Sequence, residues 1–198
     1  MTTVPFVGLT GGMGAGKSTA LAALGRLGAR TISTDAVVHE LYADPSVVEQ
    51  VTGRWGDDVA PGGVVDRSKV AEHAFGGDGS ERAWLEQLIW PLVGARVAAF
   101  REEALAAEPA PPAAVVETPL LFEAGMDGIY DATIAVVTDD ALRRERTAAR
   151  GHAAVDERNS RQLTQDEKAQ RATFVVHNDG SLEDLEKELS GVLAKLSA

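Results

Sequence analysis

Short apolar runs alternate along this chain with longer segments in which apolar residues recur at helical spacing. Residues 4–10 are apolar almost throughout, as in a strand buried on both faces. Residues 17–27 place Leu21, Leu24 and Leu27 at the spacing of one helix face. This alternation is typical of an α/β protein in which helices flank a central parallel sheet. The predicted strands cover residues 4–10, 29–33, 113–117, 132–138 and 173–176, and the predicted helices include residues 17–27, 80–107, 139–150 and 181–196.

The middle of the chain departs from this alternation. Between residues 36 and 75, helical pieces are separated by turn signals such as Asp44-Pro45 and Pro61-Gly62-Gly63. A long helix is predicted over residues 80–107, and Pro91 predicts a bend or an interruption in it. We therefore predict one domain over residues 1–198, with a helical insertion at about 36–107 that covers the substrate.

A glycine-rich turn connects the first predicted strand to the first predicted helix. It fits the GxxxxGK[ST] pattern of a phosphate-binding loop, so the predicted fold is a three-layer P-loop NTPase. Backbone N–H groups of such a loop converge on phosphate oxygens, and the helix N-terminus adds partial positive charge. Lys17 is expected to reach the β- and γ-phosphates, and Ser18 to bind Mg²⁺. The predicted nucleotide-binding residues of the loop are Gly12, Met13, Gly14, Ala15, Gly16, Lys17, Ser18 and Thr19.

Composition and charge narrow the class of ligand and partner. The 198 residues carry a formal charge of −11, which disfavours nucleic acid as the main partner. No apolar run reaches the ~18–20 residues that span a bilayer, so no membrane partner is expected. The absence of cysteine fits a reducing cytoplasm, and the absence of a guanine-reading Asn-Lys-x-Asp motif favours ATP over GTP. We expect a cytoplasmic monomer.

A carboxylate, Asp35, follows the second predicted strand, which we expect to lie beside the strand of the phosphate loop. Ligands of open α/β sheets bind outside the carboxyl ends of the strands. Asp35 could therefore orient an acceptor hydroxyl and take its proton during phosphoryl transfer. An Asp at a strand end also caps a following helix, but the nearby phosphate loop favours the catalytic role.

Arginines cluster on the helix predicted over residues 139–150. Arg143, Arg146 and Arg150 share one helix face, and guanidinium groups neutralise the charge that spreads over a transferring phosphoryl group. We predict a catalytic role for them, in a lid at about residues 143–165. The alternative is a solvated basic face paired with the acidic residues of the same helix.

Two further polar residues follow predicted strands. Glu117 either orients a water bound to magnesium or caps the next turn. Asn178 either contacts the adenine base or belongs to an ordinary turn with Asp179 and Gly180.

Several of these segments together resemble the dephospho-coenzyme A kinases, over nearly the full length of the chain. Residues 9–19 are similar to that family's LTGGxGxGKS opening, and residues 119–123 match its PLLFE segment. Glu167-Lys168, followed by residues 175–182, resembles its EK…VIxNxGSL ending, which implies an adenine contact for Asn178. Asp35 matches the second Asp of the D-A-D signature, the family's catalytic base.

The resemblance implies that the γ-phosphate of Mg-ATP is transferred to the ribose 3′-hydroxyl of dephospho-coenzyme A, the last step of coenzyme A biosynthesis. The pyrophosphate of this acceptor requires basic contacts, which we assign to Arg67 and Arg96. The acceptor-binding residues predicted in this way are Asp35, Arg67, Arg96, Pro119, Leu120 and Leu121.

The chain departs from the family pattern at several positions. Ser33 replaces the first Asp of D-A-D, Trp90 replaces a His, Thr173 replaces a common Asp, and the lid is a few residues short. The phosphate loop and Asp35 alone would equally fit a kinase for another small hydroxyl or nucleotide acceptor. A nucleotide-dependent switch without catalysis is the alternative from another class.

Overall fold

The computed structural model describes residues 4–148 and 162–197. The chain divides into two compact units, one formed by Met1–Ser33 with Arg101–Ala198 and the other by Thr34–Phe100. Arg150 and most of the predicted lid, residues 149–161, lie outside the described residues. Within the described ranges, the structure contains no helix with the length and apolar character needed to cross a membrane.

A five-stranded sheet, parallel throughout, forms the centre of the first unit. Each predicted strand is present, with its ends within two residues of the prediction. All six residues of the first strand are buried, because a central strand of a parallel sheet is covered on both faces. The strands are β1 Phe6–Gly11, β2 Arg30–Ser33, β3 Ala114–Glu117, β4 Ala132–Val137 and β5 Phe174–His177, in the spatial order β2-β3-β1-β4-β5.

The prediction that β2 lies beside β1 is wrong, because β3 lies between them. Glu117 of β3 is paired with Leu9 of β1 on one side and with Ser33 of β2 on the other. Parallel strands are joined by long crossovers, so strands that follow each other in sequence need not be neighbours in the sheet. The Ser33 hydroxyl donates a hydrogen bond of 2.6 Å to Glu117 Oε2, which joins these two strand ends.

The helices predicted around the sheet are present, and one helix was not predicted. The helices of the described residues are α1 Lys17–Arg26, α2 Thr34–Leu41, α3 Pro45–Trp55, α4 Arg67–Phe75, α5 Ser80–Leu105, α6 Asp140–Ala148, α7 Gln165–Arg171 and α8 Leu182–Leu196. In the first unit, α1 and α8 contribute Leu24, Leu185 and Leu189 to a core that also contains Val7 and Ile134 of the sheet. A capping box begins α8: the Ser181 side chain accepts from the Asp184 backbone N–H, and the Asp184 side chain accepts from the Ser181 backbone N–H.

Helix α7 escaped prediction because its sequence, QDEKAQR, is polar almost throughout and has no apolar periodicity. A second capping box begins it. The Thr164 hydroxyl accepts from the Glu167 N–H, and the Glu167 carboxylate accepts from the Thr164 N–H. The T-x-x-E spacing was therefore the one local signal for this helix.

The unit Thr34–Phe100 is helical and has its own core. Val47, Val51 and Val59 are fully buried there. Helix α5 is continuous through Pro91, so the helix is not interrupted at that residue. Glu81 accepts hydrogen bonds from the Arg54 guanidinium (2.7 Å) and from Trp55 Nε1 (2.6 Å), which together lower the pKa of Glu81 to about 2.

Candidate active site

The phosphate-binding loop leads from β1 into α1 in a conformation that glycine makes possible. Gly16, immediately before α1, has φ 91° and ψ 29°, the left-handed region that residues with a Cβ rarely adopt. No side chain of the described residues caps this helix, in contrast to α7 and α8. An N-terminus of this kind, at the end of a glycine-rich turn, suits the binding of a phosphate group.

Lys17 adds a full positive charge to the same loop. Its Nζ donates to the carbonyl oxygen of Gly11 at 3.1 Å and to that of Gly12 at 3.2 Å. Ser18 and Thr19 follow in the first turn of α1, and both are exposed. The loop therefore combines an ammonium group, a helix N-terminus and accessible hydroxyl groups.

Neighbouring side chains approach two glycines of the loop closely. A Cβ built on Gly16 would lie 2.0 Å from Asn178 Nδ2, and one built on Gly14 would lie 2.7 Å from Thr147 Oγ1. Gly14 also has a positive φ of 76°. Glycine is thus required at both positions by packing as well as by backbone conformation.

Asn178 and Thr138 hold the phosphate loop in place through hydrogen bonds to one of its carbonyl groups. Asn178 Nδ2 donates to the carbonyl oxygen of Ala15 at 2.9 Å, and Thr138 Oγ1 donates to the same oxygen at 2.9 Å. Asn178 is buried, with 7% of its surface exposed. Its predicted contact with adenine stays a prediction. Thr138 was missed, because a lone Thr after a strand carries no motif.

Arg143 and Arg146 of α6 both reach the loop, on two different sides. Arg143 Nη1 lies 3.6 Å from the Cβ position of Gly12, and its Nη2 is paired with Asp140 at 3.0 Å. Arg146 Nη1 donates to the carbonyl oxygen of Asn178 at 3.1 Å, near Gly16. The structure thus brings two of the three predicted arginines to the phosphate loop.

Gln165, in the first turn of α7, also borders the loop. Its amide makes two hydrogen bonds with the backbone of Thr138, accepting from N–H at 3.1 Å and donating to the carbonyl at 2.9 Å. Its Cγ lies 3.1 Å from the Cβ position of Gly12. The sequence analysis missed Gln165, since it lies in the helix that was not predicted.

The remaining predicted residues of the acceptor site divide between the two units. Asp35 is exposed in the first turn of α2, Arg67 is exposed at the start of α4, and Arg96 is exposed on α5. In the other unit, Leu120 is 42% exposed, whereas Leu121 is fully buried and lies close to Gly8. Asp35 lies inside α2 rather than before it, so it is not the residue that precedes the helix.

A family model described as dephospho-CoA kinase matches residues 5–184, which include the phosphate loop, α6, α7 and Asn178. The chain belongs to the dephospho-CoA kinase family. The protein named dephospho-CoA kinase from Synechococcus sp. (strain CC9902) is 37% identical over 194 residues, which cover 94% of this chain and 94% of that protein. The protein of the same name from Deinococcus radiodurans is 36% identical, over 96% of this chain and 91% of that protein.

Two solved structures have a similar fold. The crystal structure of TT1252 from Thermus thermophilus is 34% identical and superposes with a TM-score of 0.80, over 98% of this chain and 99% of that one. The dephospho-CoA kinase from Campylobacter jejuni is 24% identical and has a TM-score of 0.69, over 97% of this chain and 96% of that one. The second likeness is one of fold alone. The predicted α/β P-loop fold is confirmed.

Two departures from the dephospho-CoA kinase pattern can now be described. Ser33, in place of an Asp, donates its hydroxyl to the neighbouring Glu117, whereas an acidic residue there would place two carboxylates side by side. Trp90, in place of a His, is 62% exposed on α5. The Glu-Lys pair of the family's C-terminal motif includes Lys168, which is completely buried.

Proposed function

We propose that this protein transfers the γ-phosphoryl group of ATP to the ribose 3′-hydroxyl of dephospho-coenzyme A, and so forms coenzyme A and ADP. The observation that carries the proposal is the family match over residues 5–184, in a chain whose phosphate loop keeps Lys17 and the glycine conformations that the loop requires. Relatives that are 37% and 36% identical over nearly their whole length share the name of this activity.

The loop from Gly12 to Thr19 binds the phosphates of ATP through its N–H groups and through Lys17, and Asn178 contacts the adenine. The oxygen donors in this region fit magnesium: the Ser18 hydroxyl is exposed, and the Glu117 carboxylate ends the strand next to β1. Ser18 would hold the ion, and Glu117 would orient one of its waters. When bound, Mg²⁺ neutralises charge on the β- and γ-phosphate oxygens.

The arginines of α6 serve the transfer step. Arg143 Nη1 lies 3.6 Å from the Cβ position of Gly12, and we assign this guanidinium group the neutralisation of the γ-phosphoryl oxygens. Arg146, beside Gly16 and Asn178, acts nearer the start of α1. Arg150 completes the proposed set.

Asp35 acts as the general base. The 3′-oxygen of the acceptor forms a bond to the γ-phosphorus while the bond from that phosphorus to the oxygen of ADP breaks, and the hydroxyl proton passes to the Asp35 carboxylate. Asp35 is exposed in the first turn of α2 and matches the second Asp of the family's D-A-D signature. Arg67 and Arg96 bind the acceptor pyrophosphate, and the segment Pro119-Leu120-Leu121 lines its site.

The proposal is tested by measuring ADP release from Mg-ATP with a panel of acceptors. Dephospho-coenzyme A should stimulate release, while coenzyme A should not, because its 3′-oxygen already carries a phosphate. Shikimate, gluconate and nucleoside monophosphates test the alternative acceptors. Stimulation by one of these instead of dephospho-coenzyme A contradicts the proposal, as does nucleotide binding with no acceptor-dependent release.

We also propose that the protein works in the cytoplasm as a monomer. The absence of cysteine supports a reducing compartment. Light scattering of the purified protein, with and without Mg-ATP, measures its molecular mass directly. The mass of a dimer would contradict the proposed monomeric state.

A further inference from the structure

Lys168 is a buried cation that has no part in the proposed transfer. Its side chain has no exposed surface, although it belongs to the polar helix α7. Burial lowers the pKa of Lys168, and the bond and charge of Glu123 partly oppose this effect. An ammonium group stays in such a place only where acceptors surround it, so the acceptors indicate its role.

Two of those acceptors lie at the carboxyl ends of adjacent strands, β1 and β3. Lys168 Nζ donates to the carbonyl oxygen of Pro119 at 2.6 Å and contacts Thr10 Oγ1 at 3.4 Å. Thr10 lies in β1 directly before the phosphate loop, and its hydroxyl donates to the same Pro119 carbonyl at 3.2 Å. The Pro119 carbonyl is thus fixed by two donors and faces the protein interior.

The other end of the PLLFE segment is fixed by the same lysine. Glu123 Oε1 pairs with Lys168 Nζ at 2.9 Å and also accepts the Leu163 N–H at 2.8 Å. Leu121, between the two fixed ends, is completely buried. The lysine therefore determines the path of residues 119–123 while remaining out of reach of any substrate.

We infer that Lys168 is a positioning residue for the acceptor: by holding Pro119 and Glu123 it sets the segment Pro119-Leu120-Leu121 in the conformation that dephospho-coenzyme A requires. The inference rests on the proposed function, because the acceptor contact of this segment is part of that proposal. Lys168 should therefore affect binding of the acceptor and have little effect on binding of ATP, whose phosphates are bound by Gly12–Thr19.

The test uses two variants, the single variant K168M and the double variant K168M/E123Q. The single variant leaves the Glu123 carboxylate buried without its cation, which is destabilising. In the double variant no charge remains, and the amide oxygen of the new glutamine side chain can still accept from the Leu163 N–H. Replacing both members of a buried ion pair with uncharged residues often changes the free energy of unfolding little. K195M, which alters an exposed lysine of α8, is the control.

The Michaelis constant for dephospho-coenzyme A should rise by about tenfold or more in both variants, the scale of a lost hydrogen bond to a charged group, while the constant for ATP stays within about twofold. K195M should match the parent. Michaelis constants do not depend on the folded fraction, so partial unfolding does not obscure the comparison.

An unchanged acceptor constant in the double variant overturns the inference, and so does an equal rise in both constants. Failure of both variants to fold also overturns it, because Lys168 would then serve the fold as a whole. The parent enzyme separates this result from failure of the proposed function: if dephospho-coenzyme A does not stimulate the parent, the function itself is wrong.

Discussion

The conformation of Gly16 leads to a sharp prediction about nucleotide binding. In Gly16→Ala, the new Cβ would have to occupy the left-handed region and would lie 2.0 Å from Asn178 Nδ2. The left-handed backbone costs a residue with a Cβ roughly 1–2 kcal/mol. Displacing Asn178 also breaks its 2.9 Å bond to the Ala15 carbonyl, which is worth about 1 kcal/mol.

The two contributions sum to roughly 2–3 kcal/mol against the native loop. The phosphate loop can relieve such strain by changing its local conformation, so we expect the loss in ATP affinity rather than in global stability. At about 1.4 kcal/mol for each tenfold change, the dissociation constant of Mg-ATP should rise roughly 30- to 150-fold. Isothermal titration calorimetry measures it, and differential scanning calorimetry checks that the fold is retained.

Gly25→Ala, in the helix α1 that follows the loop, is the control. A Cβ there would lie 3.7 Å from Thr31 Oγ1, an ordinary contact, and alanine stabilises a helix interior by about 0.5–1 kcal/mol relative to glycine. This variant should bind ATP like the parent and melt at a slightly higher temperature. An affinity of Gly16→Ala within about threefold of the parent would refute the reasoning on the loop.

Three further predictions concern catalysis and the helical unit. Asp35→Asn should leave ATP affinity nearly intact and reduce turnover at least ~10²-fold, and parent-like turnover would exclude Asp35 as the base. Arg143→Gln should lower kcat/KM for ATP by about tenfold or more, while Arg144→Gln, on an exposed side chain of the same helix, should not; equal effects would contradict the role of Arg143. Glu81 has a folded-state pKa of about 2, below its ordinary value, because Arg54 binds the carboxylate, so its stabilisation is present above about pH 4.5 and is lost as the pH falls through about 2. The difference in Tm between the parent and Glu81→Gln should therefore shrink over that range, and a constant difference would contradict the assignment.

The parts of the fold that the sequence predicted well are those with strong local signals. The apolar run at β1, the glycine turn and the leucine spacing of α1 each depend on residues close together in the chain. The position of β2 in the sheet has no such signal. Its place at the edge depends on β3, whose residues lie some eighty positions later and insert between β2 and β1.

The contrast between local signals and long-range contacts also applies to the residues of the candidate active site. Lys17, Arg143 and Arg146 were predicted from a motif and from helical spacing, and the structure places all three at the phosphate loop. Thr138 and Gln165 were missed because each acts through bonds to distant backbone, which leaves no pattern in the sequence. Lys168 was noticed only as part of a family motif. Lysines are rarely buried, so its position inside the protein could not be predicted from its residue type.

The central claim is tested most directly by determining where the phosphate goes. Purified protein is incubated with Mg-ATP and dephospho-coenzyme A, and the product is examined by phosphorus NMR and mass spectrometry. The account predicts one new phosphomonoester on the ribose 3′-oxygen, formed in equal amount with ADP. Release of inorganic phosphate with unmodified acceptor, or a phosphate on another oxygen, would contradict it.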